Sequence, residues 1–341
     1  MKMKKIIISI LVIVLLAIGG IAIYFNNIVS TGFDIDKTVY ITIGTDKNYN
    51  RLLSDLDTIA KIRNLSNFDR IAGLVDYPDN MRTGRFAVTS DMNIWEVLQV
   101  LRNGIQSPVN LKFNNIRTKE DLAIRLSGQL MLTESELLGA FNDSVVCARY
   151  GFTPQTIVAM FIPNTYEVYW DTRLDMFLSR MDKEYKRFWT EERLSKAEAI
   201  QLSPIEVSIL ASIVEEECTY SDEYPVVAGL YLNRLHRGQA LQADPTVKFA
   251  VGDFSLRRIL NKHLEIRSPY NTYQNIGLPP GPIRIPSIKG IDAVLNYSRH
   301  NYLYMCAKED FSGRHNFAVT FEEHQQNANK YRQALNRRGI Y

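Results

Sequence analysis

The chain has 341 residues, of which 46% are hydrophobic and 23% charged, a composition that excludes a wholly disordered or fibrous protein. Its formal net charge is +3, from 40 Lys and Arg against 37 Asp and Glu. Three of those bases, Lys2, Lys4 and Lys5, stand at the N-terminus, so the remainder is formally neutral. A neutral body lacks the basic surplus expected of a nucleic-acid-binding protein, and we predict no nucleic-acid partner.

An uncharged apolar run from Ile6 to Tyr24 follows these lysines. As a helix it would be roughly 28 Å long, enough to cross the hydrocarbon core of a bilayer. The positive-inside rule then predicts a cytoplasmic tail at residues 1–5, a transmembrane helix at 6–24 and an exported remainder. A cleaved signal peptide is the alternative, although its apolar segment is usually shorter and ends in small residues, whereas this one ends in Tyr24 and Phe25.

The exported part begins with a small predicted α+β module at residues 38–105. Apolar residues recur at helical spacing in two of its segments, and β-branched residues are concentrated in two others. These patterns predict strands at 38–44 and 82–89 and helices at 48–62 and 91–102, the second helix closed by Gly104.

Predicted helices outnumber strands from residue 106 onward. Residues 239–286 are polar and rich in proline, which is typical of turns and loops. The fold class predicted for the whole chain is therefore α+β, with a module boundary near 105–150. The predicted helices are 118–130, 133–141, 174–189, 205–217, 224–237, 288–298 and 321–337, and the predicted strands are 109–113, 302–306 and 316–320.

Glu215 is the first candidate for catalysis. On helix 205–217 it lies one turn beyond Ala211 and Ser212, on a face of small side chains that would leave room for a ligand. An apolar wall beside it would favour the protonated carboxylic acid that a general acid requires. The alternative is a solvated acidic helix end, since Glu216 and Glu217 follow directly.

Two polar segments are candidates for lining a carbohydrate cleft. In residues 242–246, an amide, a carboxylate and a hydroxyl alternate, so they would face one way along an extended segment. In residues 268–273, two tyrosines enclose Asn and Thr. A polar edge strand and a structural loop are the respective alternatives. The predicted cleft residues are Gln242, Asp244, Thr246, Tyr270, Asn271, Thr272 and Tyr273.

The sequence lacks the motifs of several common kinds of catalytic and metal-binding site. Cys147, Cys218 and Cys306 form neither a CxxC pair nor a metal-ligand spacing, and the chain has no HExxH, GxSxG, SxxK or P-loop motif. We therefore predict no metal and no cofactor.

Five blocks, in order and spacing, resemble the endolytic murein transglycosylases, the YceG-like or MltG family. A sixth block, FIPNTY, carries Asn164 where that family usually has Asp, and Ala159-Met160 replace the acidic residue and Gly common before it. The five matching blocks are LASIVEEE (210–217), GLYLNRL (229–235), LQADPTV (241–247), SPYNTY (268–273) and GLPPGPI (277–283).

The resemblance implies a membrane-anchored lytic transglycosylase, with a LysM-like subdomain at 38–105 and a catalytic domain at 106–341 outside the cytoplasm, in a periplasm or its equivalent. It implies cleavage of the β-1,4 bond between N-acetylmuramic acid and N-acetylglucosamine in nascent peptidoglycan strands, leaving a 1,6-anhydro end. Partners would be peptidoglycan synthases and the elongation or division machinery. Glu215 would be the catalytic glutamate, Glu217 would support it, and Asn233 would join the substrate-binding residues.

Two other functions stay open at this point. One is an anchored peptidoglycan-binding scaffold with an eroded active site, against which Glu215 and the intact blocks at 241–247 and 268–273 argue. The other is a hydrolase that uses water as the acceptor.

Overall fold

A computed structural model describes residues 2–256 and 258–339. The chain divides into two units. The first comprises the chain up to Leu111 together with Gln129–Met131 and Tyr166–Thr172, and the second takes the rest. Both contain helices and paired strands, which confirms the predicted α+β class.

The N-terminal helix α1 (Lys2–Val29) contains the predicted membrane segment. Its part from Lys4 to Val29 is long and apolar enough to cross a membrane, by length and composition. Large apolar side chains are exposed along it from Ile6 to Phe25. An exposed apolar surface of this extent needs lipid or another apolar partner to cover it.

The body of the first unit is a two-stranded antiparallel sheet with helices packed around it. Its strands pair in a register that runs from Val39 opposite Val88 to Ile43 opposite Gly84. Phe68, Phe86 and Leu98 are among its fully buried core residues. Its elements are β1 (Val39–Ile43), α2 (Tyr49–Thr58), α3 (Leu65–Leu74), β2 (Gly84–Val88) and α4 (Ile94–Asn103).

Local sequence signals explain the ends of α4. Asn93 and Glu96 form a capping box, each side chain bonded to the other's backbone N–H. Gly104 ends the helix with φ 69°, as predicted. The predicted helix 48–62 ends earlier, at Thr58, and α3 was not predicted. A further strand pair, β3 (Val109–Lys112) with β4 (Thr165–Val168), lies mostly in this unit.

The second unit is mainly helical. It also holds the antiparallel pair β5 (Tyr304–Ala307) and β6 (His315–Ala318), close to the predicted strands 302–306 and 316–320. Its helices are α5 (Lys119–Ser127), α6 (Glu134–Asn142), α7 (Ser144–Arg149), α8 (Leu174–Phe188), α9 (Glu191–Ala199), α10 (Pro204–Glu217), α11 (Tyr224–His236), α12 (Asp244–Val251), α13 (Asn261–Leu264), α14 (Ile288–Leu295) and α15 (Phe321–Arg337).

Helix α10 is the central element of this unit. Ser203 and Glu206 form its N-terminal capping box, and Pro204 occupies the first turn, where its missing N–H costs nothing. Every residue from Val207 to Glu215 is buried. A helix buried on all faces must pack against several neighbours, and α10 contacts α9, α11, α12 and α14.

The prediction of an extended segment at 242–246 is wrong. Pro245 is the second residue of α12, where a proline supports a helix start, so the helix begins at Asp244. Three residues that would alternate in a strand therefore point in different directions. Helices α7 and α9 and strand β4 were also not predicted, because each is short and depends on tertiary contacts.

A glycine in α11 allows close packing, and its replacement should be destabilising. A Cβ added at Gly229 would overlap the carbonyl oxygen of Ser298 and the ring of His300. We expect Gly229→Ala to lower the free energy of unfolding by roughly 1–3 kcal/mol, as overpacking does. Gly139→Ala in α6 is the control, because nothing lies within 4 Å of its added Cβ and alanine favours a helix by about 0.5–1 kcal/mol. Urea unfolding of both variants measures the difference, and equal stability would contradict this packing argument.

Candidate active site

The last turn of α10 carries Glu215, Glu216 and Glu217. Successive residues of a helix are rotated by about 100°, so the three carboxylates point in three directions. Each meets different neighbours, and those neighbours determine what each group can do.

Glu215 joins α10 to α14. Its Oε1 accepts a hydrogen bond from the backbone N–H of Ser287 at 2.9 Å and another from the Ser287 hydroxyl. Ser287 is the N-cap of α14, so the carboxylate lies at the positive end of that helix. Arg284 Nε is 3.5 Å from its Oε2. The residue is only 7% exposed.

The small-residue face beside Glu215 is occupied by the protein itself. Ser212 is fully buried, and its hydroxyl accepts a hydrogen bond from the backbone N–H of Ile283 at 3.0 Å. A Cβ added at Gly290 would overlap the Glu215 side chain. The expectation that this face leaves room for a ligand is therefore wrong, because residues 283–290 fill it.

Glu216 is held by two arginines. Its Oε1 accepts from Arg284 at 2.7 Å and its Oε2 from Arg117 at 2.9 Å. Arg284 also donates to the side chain of Asn115 at 2.8 Å. These paired charges stabilise the end of α10 against its own negative dipole.

Glu217 faces a polar cavity of about 260 Å³. The cavity is smaller than the roughly 300–1,000 Å³ of common ligand pockets, so it can enclose only part of a polymeric ligand. Its walls come from α10, α11, α12 and the β5–β6 pair. The polar and titratable side chains that line it include Glu217, Tyr231, Arg234, Asp244, Tyr273 and His315.

Burial raises the pKa of Glu217 to about 7. The negative charge of Asp244 adds to this rise, whereas a hydrogen bond from the Tyr231 hydroxyl at 2.9 Å and the positive charge of Arg234 oppose it. A carboxylic acid with such a pKa is protonated in a large fraction of molecules near neutral pH, as a general acid requires.

Arg234 is a buried cation held by carbonyl groups. Its Nε donates to the carbonyl oxygen of Leu303 at 2.6 Å, and its Nη1 donates to that of Leu241 at 2.8 Å and to the side chain of Gln242 at 3.2 Å. These bonds fix the loop before α12 against the residue that precedes β5. They also leave a positive charge near the two cavity carboxylates.

Asp244 and Tyr273 form the opposite side of the cavity. The Tyr273 hydroxyl donates to Asp244 Oδ1 at 2.6 Å, and burial raises the pKa of this tyrosine. Gln242, two residues before Asp244, has φ 51°, a left-handed conformation that is uncommon outside glycine. Such local strain is a frequent feature of functional sites.

The structure thus brings together four of the predicted site residues, Glu217, Gln242, Asp244 and Tyr273. Tyr270 lies outside this cavity, and its ring centroid is 4.8 Å from that of Phe249. Asn233 donates to the carbonyl oxygens of His300 at 2.8 Å and Tyr302 at 3.0 Å, which anchors the chain before β5.

Thr246, Asn271 and Thr272 are buried behind the cavity wall, with at most 1% of each exposed. The Thr246 and Thr272 hydroxyls bond each other at 2.8 Å, and the Asn271 amide donates to the carbonyl oxygens of Leu264 and Ile266. They hold the loop against α12, and they present no surface to a sugar.

Sequence reasoning did not assign Tyr231 and Arg234 to the site. Both belong to the GLYLNRL block and stand three residues apart on α11, so they share a helix face. The three-residue spacing of Tyr231 and Arg234 was a usable signal. However, the group to which Tyr231 donates, Glu217, belongs to another helix.

The fold and this cavity define an α+β protein in which a glutamate with a raised pKa lies at a helix end and faces a polar cavity. The profile of the YceG-like family matches residues 41–330. The chain belongs to the YceG-like family. A crystal structure of a YceG-like protein from Listeria monocytogenes superimposes with a TM-score of 0.55 at 25% identity, covering 85% of this chain and 99% of that one.

Curated relatives are named endolytic murein transglycosylase. The one from Bacillus subtilis strain 168 is 37% identical over 161 residues, 47% of this chain and 44% of the relative. The one from Streptococcus pneumoniae strain D39 is 24% identical over an alignment of 365 positions, 95% of this chain and 64% of the relative. The chain therefore matches less than two thirds of the length of each.

Glu217, which is half-buried, should make the stability of the protein depend on pH. Its folded-state pKa, about 7, lies above the ordinary value of 4.5, so the folded protein binds more protons than the unfolded chain between these values. Its contribution to stability is therefore full below pH about 4.5 and is lost as pH rises to about 7. Glu217→Gln cannot ionise, and we expect its stability relative to the parent protein to increase across this range. Glu198→Gln, an exposed change, is the control for thermal unfolding at pH 5 and pH 8; parallel curves for both variants would refute the assignment.

Proposed function

We propose that this chain is a membrane-anchored endolytic lytic transglycosylase of peptidoglycan, and that Glu217 is its general acid and base. The observation that carries the assignment is a single protonatable glutamate, with a pKa of about 7, in a polar cavity at the end of α10. The names of the curated relatives support the substrate class.

The proposed role of Glu217 replaces the expectation for Glu215. Glu215 accepts two hydrogen bonds from Ser287 and lies 3.5 Å from Arg284 Nε, and residues 283–290 fill the space around it. Glu217, in contrast, accepts a hydrogen bond from the Tyr231 hydroxyl and faces open volume. A group that gives up and recovers a proton needs access to the reacting oxygen.

The proposed reaction uses this one group twice. Protonated Glu217 donates its proton to the glycosidic oxygen between N-acetylmuramic acid and N-acetylglucosamine as the bond to the anomeric carbon breaks. The resulting carboxylate accepts the proton of the 6-hydroxyl of the same muramic residue, whose oxygen attacks the anomeric carbon. The product is a 1,6-anhydro end, and the substrate's hydroxyl replaces the water that a hydrolase activates.

The helix α1 is proposed to anchor the enzyme at the outer face of the cytoplasmic membrane, with residues 1–5 inside. Its exposed apolar length and the lysines at its N-terminal end support this topology. The module at 38–105 is proposed to engage glycan in a LysM-like manner, and peptidoglycan synthases are proposed as partners.

Glu217→Gln should abolish strand cleavage, because glutamine keeps the shape but cannot transfer a proton. We expect turnover on nascent glycan strands to fall by roughly 10²–10⁴-fold or more. Glu215→Gln is the matched control; it should lower stability through the Ser287 contact while folded protein keeps its turnover within a few-fold. Mass spectrometry of the products distinguishes an anhydro end from a reducing end, which is heavier by one water. An active Glu217→Gln protein beside an inactive, folded Glu215→Gln protein would return the catalytic role to Glu215.

The pH dependence of cleavage should follow the protonation of Glu217. Because the free enzyme must begin with the acid form, kcat/KM should fall about tenfold per pH unit above pH about 7. Initial rates between pH 5.5 and 9 on a soluble glycan test this. A rate that stays level up to pH 9 would exclude Glu217 as the proton donor.

The full-length chain should remain with the membrane fraction after washing with high salt, since an apolar helix is not released by screening charge. N-terminal sequencing of the mature protein is the decisive measurement. A mature chain that begins between Asn26 and Thr31 would mean that the segment is a cleaved signal peptide.

A further inference from the structure

Two carboxylates share the cavity, and their surroundings differ. Glu217 is protonatable because of burial. Asp244 is exposed, and its Oδ1 accepts the Tyr273 hydroxyl at 2.6 Å. Its Oδ2 accepts no hydrogen bond from the residues that the structure describes, so this oxygen is available to a ligand in the cavity.

The position of Asp244 suits a negative charge. It is the first residue of α12, where free backbone N–H groups make the helix end positive. Arg234 adds a second positive influence from the cavity wall. Two similar side chains in different surroundings can take two different roles in one site.

The other titratable groups that face the cavity are less suited to accept a hydrogen bond from a ligand. His315 Nδ1 lies 3.2 Å from a Glu223 carboxylate oxygen, and the Arg234 guanidinium is bonded to carbonyl oxygens. Burial raises the pKa of the Cys306 thiol, which keeps it neutral. Tyr231 donates to Glu217. Asp244 is thus the lining group suited to accept a hydrogen bond from a substrate N–H.

The substrate offers such a donor beside the reacting carbon. Each sugar of the strand carries a 2-acetamido group, whose carbonyl oxygen can reach its own anomeric carbon when the N–H is held in place. We propose that Asp244, oriented by Tyr273, accepts a hydrogen bond from the acetamido N–H of the muramic residue that is cut, and so directs the acetamido oxygen to its anomeric carbon. This inference rests on the proposed transglycosylase function.

The step balances without a further reagent. As Glu217 donates its proton to the leaving oxygen, the acetamido oxygen forms a bond to the anomeric carbon and the glycosidic bond breaks. The positive charge of the cyclic oxazolinium ion is stabilised by the nearby Asp244 carboxylate. The 6-hydroxyl oxygen then attacks the same carbon, the acetamido oxygen leaves, and the hydroxyl proton passes to Glu217.

The test compares Asp244→Asn and Tyr273→Phe with the parent protein on two substrates. One is N-acetylated glycan, and the other is the same glycan with its muramic residues de-N-acetylated. Asp253→Asn is the control. Asp253 is exposed and lies outside the cavity, and this substitution removes the same charge as Asp244→Asn. The readouts are kcat, KM and the mass of the product end, with thermal unfolding to verify the fold.

We expect Asp244→Asn to lower kcat about 10²–10³-fold on acetylated glycan, the range for losing one transition-state contact, with little change in KM. Tyr273→Phe should lower kcat in the same direction by a smaller factor. On de-N-acetylated glycan, where the parent protein is itself slow, both substitutions should change kcat by less than about threefold. Asp253→Asn should match the parent on both substrates.

Three results would overturn the inference while leaving the proposed function intact: an unchanged kcat for Asp244→Asn, a loss confined to KM, or an equal loss on both substrates. If Asp244→Asn does not fold, the substrate-dependence of Tyr273→Phe decides the question. The proposed function fails separately, if the parent protein forms no anhydro end or if Glu217→Gln remains active.

Discussion

The second unit is organised around the negative charge at the C-terminal end of α10. The backbone carbonyls at a helix end already carry partial negative charge, and three glutamates add to it. Two of them are neutralised by structure, Glu215 by the start of α14 and Glu216 by Arg284 and Arg117. The third, Glu217, has a hydroxyl and a more distant cation as partners, and burial makes it bind a proton.

The different surroundings of the three glutamates depend on segments that are far apart in the chain. Residues 283–290 lie against one side of α10, while α11 and the start of α12 form the wall on another. Arg234 joins that wall to the chain before β5 through the carbonyl oxygen of Leu303. Removing one partner would therefore disturb both the packing of the helix end and the electrostatics of the cavity.

Helix ends with clear caps, such as those of α4 and α10, could be predicted because the signals are local. The direction of each glutamate could not be predicted, because it depends on which distant segment packs against each face. The small-residue face of Ser212 resembles a ligand groove in the sequence, yet small side chains equally allow a loop to approach closely, as Ile283 does. Likewise, the alternation at 242–246 suggested a strand, whereas Pro245 at a helix start was the stronger local signal.

The opposing influences on Glu217 suit a group that must act in both directions. A glutamic acid with the ordinary pKa of 4.5 would be protonated in only about one molecule in 300 at pH 7, whereas with a pKa of about 7 it is protonated in about half of them. Burial alone would raise the pKa further and leave a weak acid that donates slowly. Tyr231 and Arg234 oppose that rise by stabilising the carboxylate. In the proposed reaction, this balance would keep the proton both available to a leaving oxygen and recoverable from an attacking hydroxyl, as a reaction with one acid–base group demands.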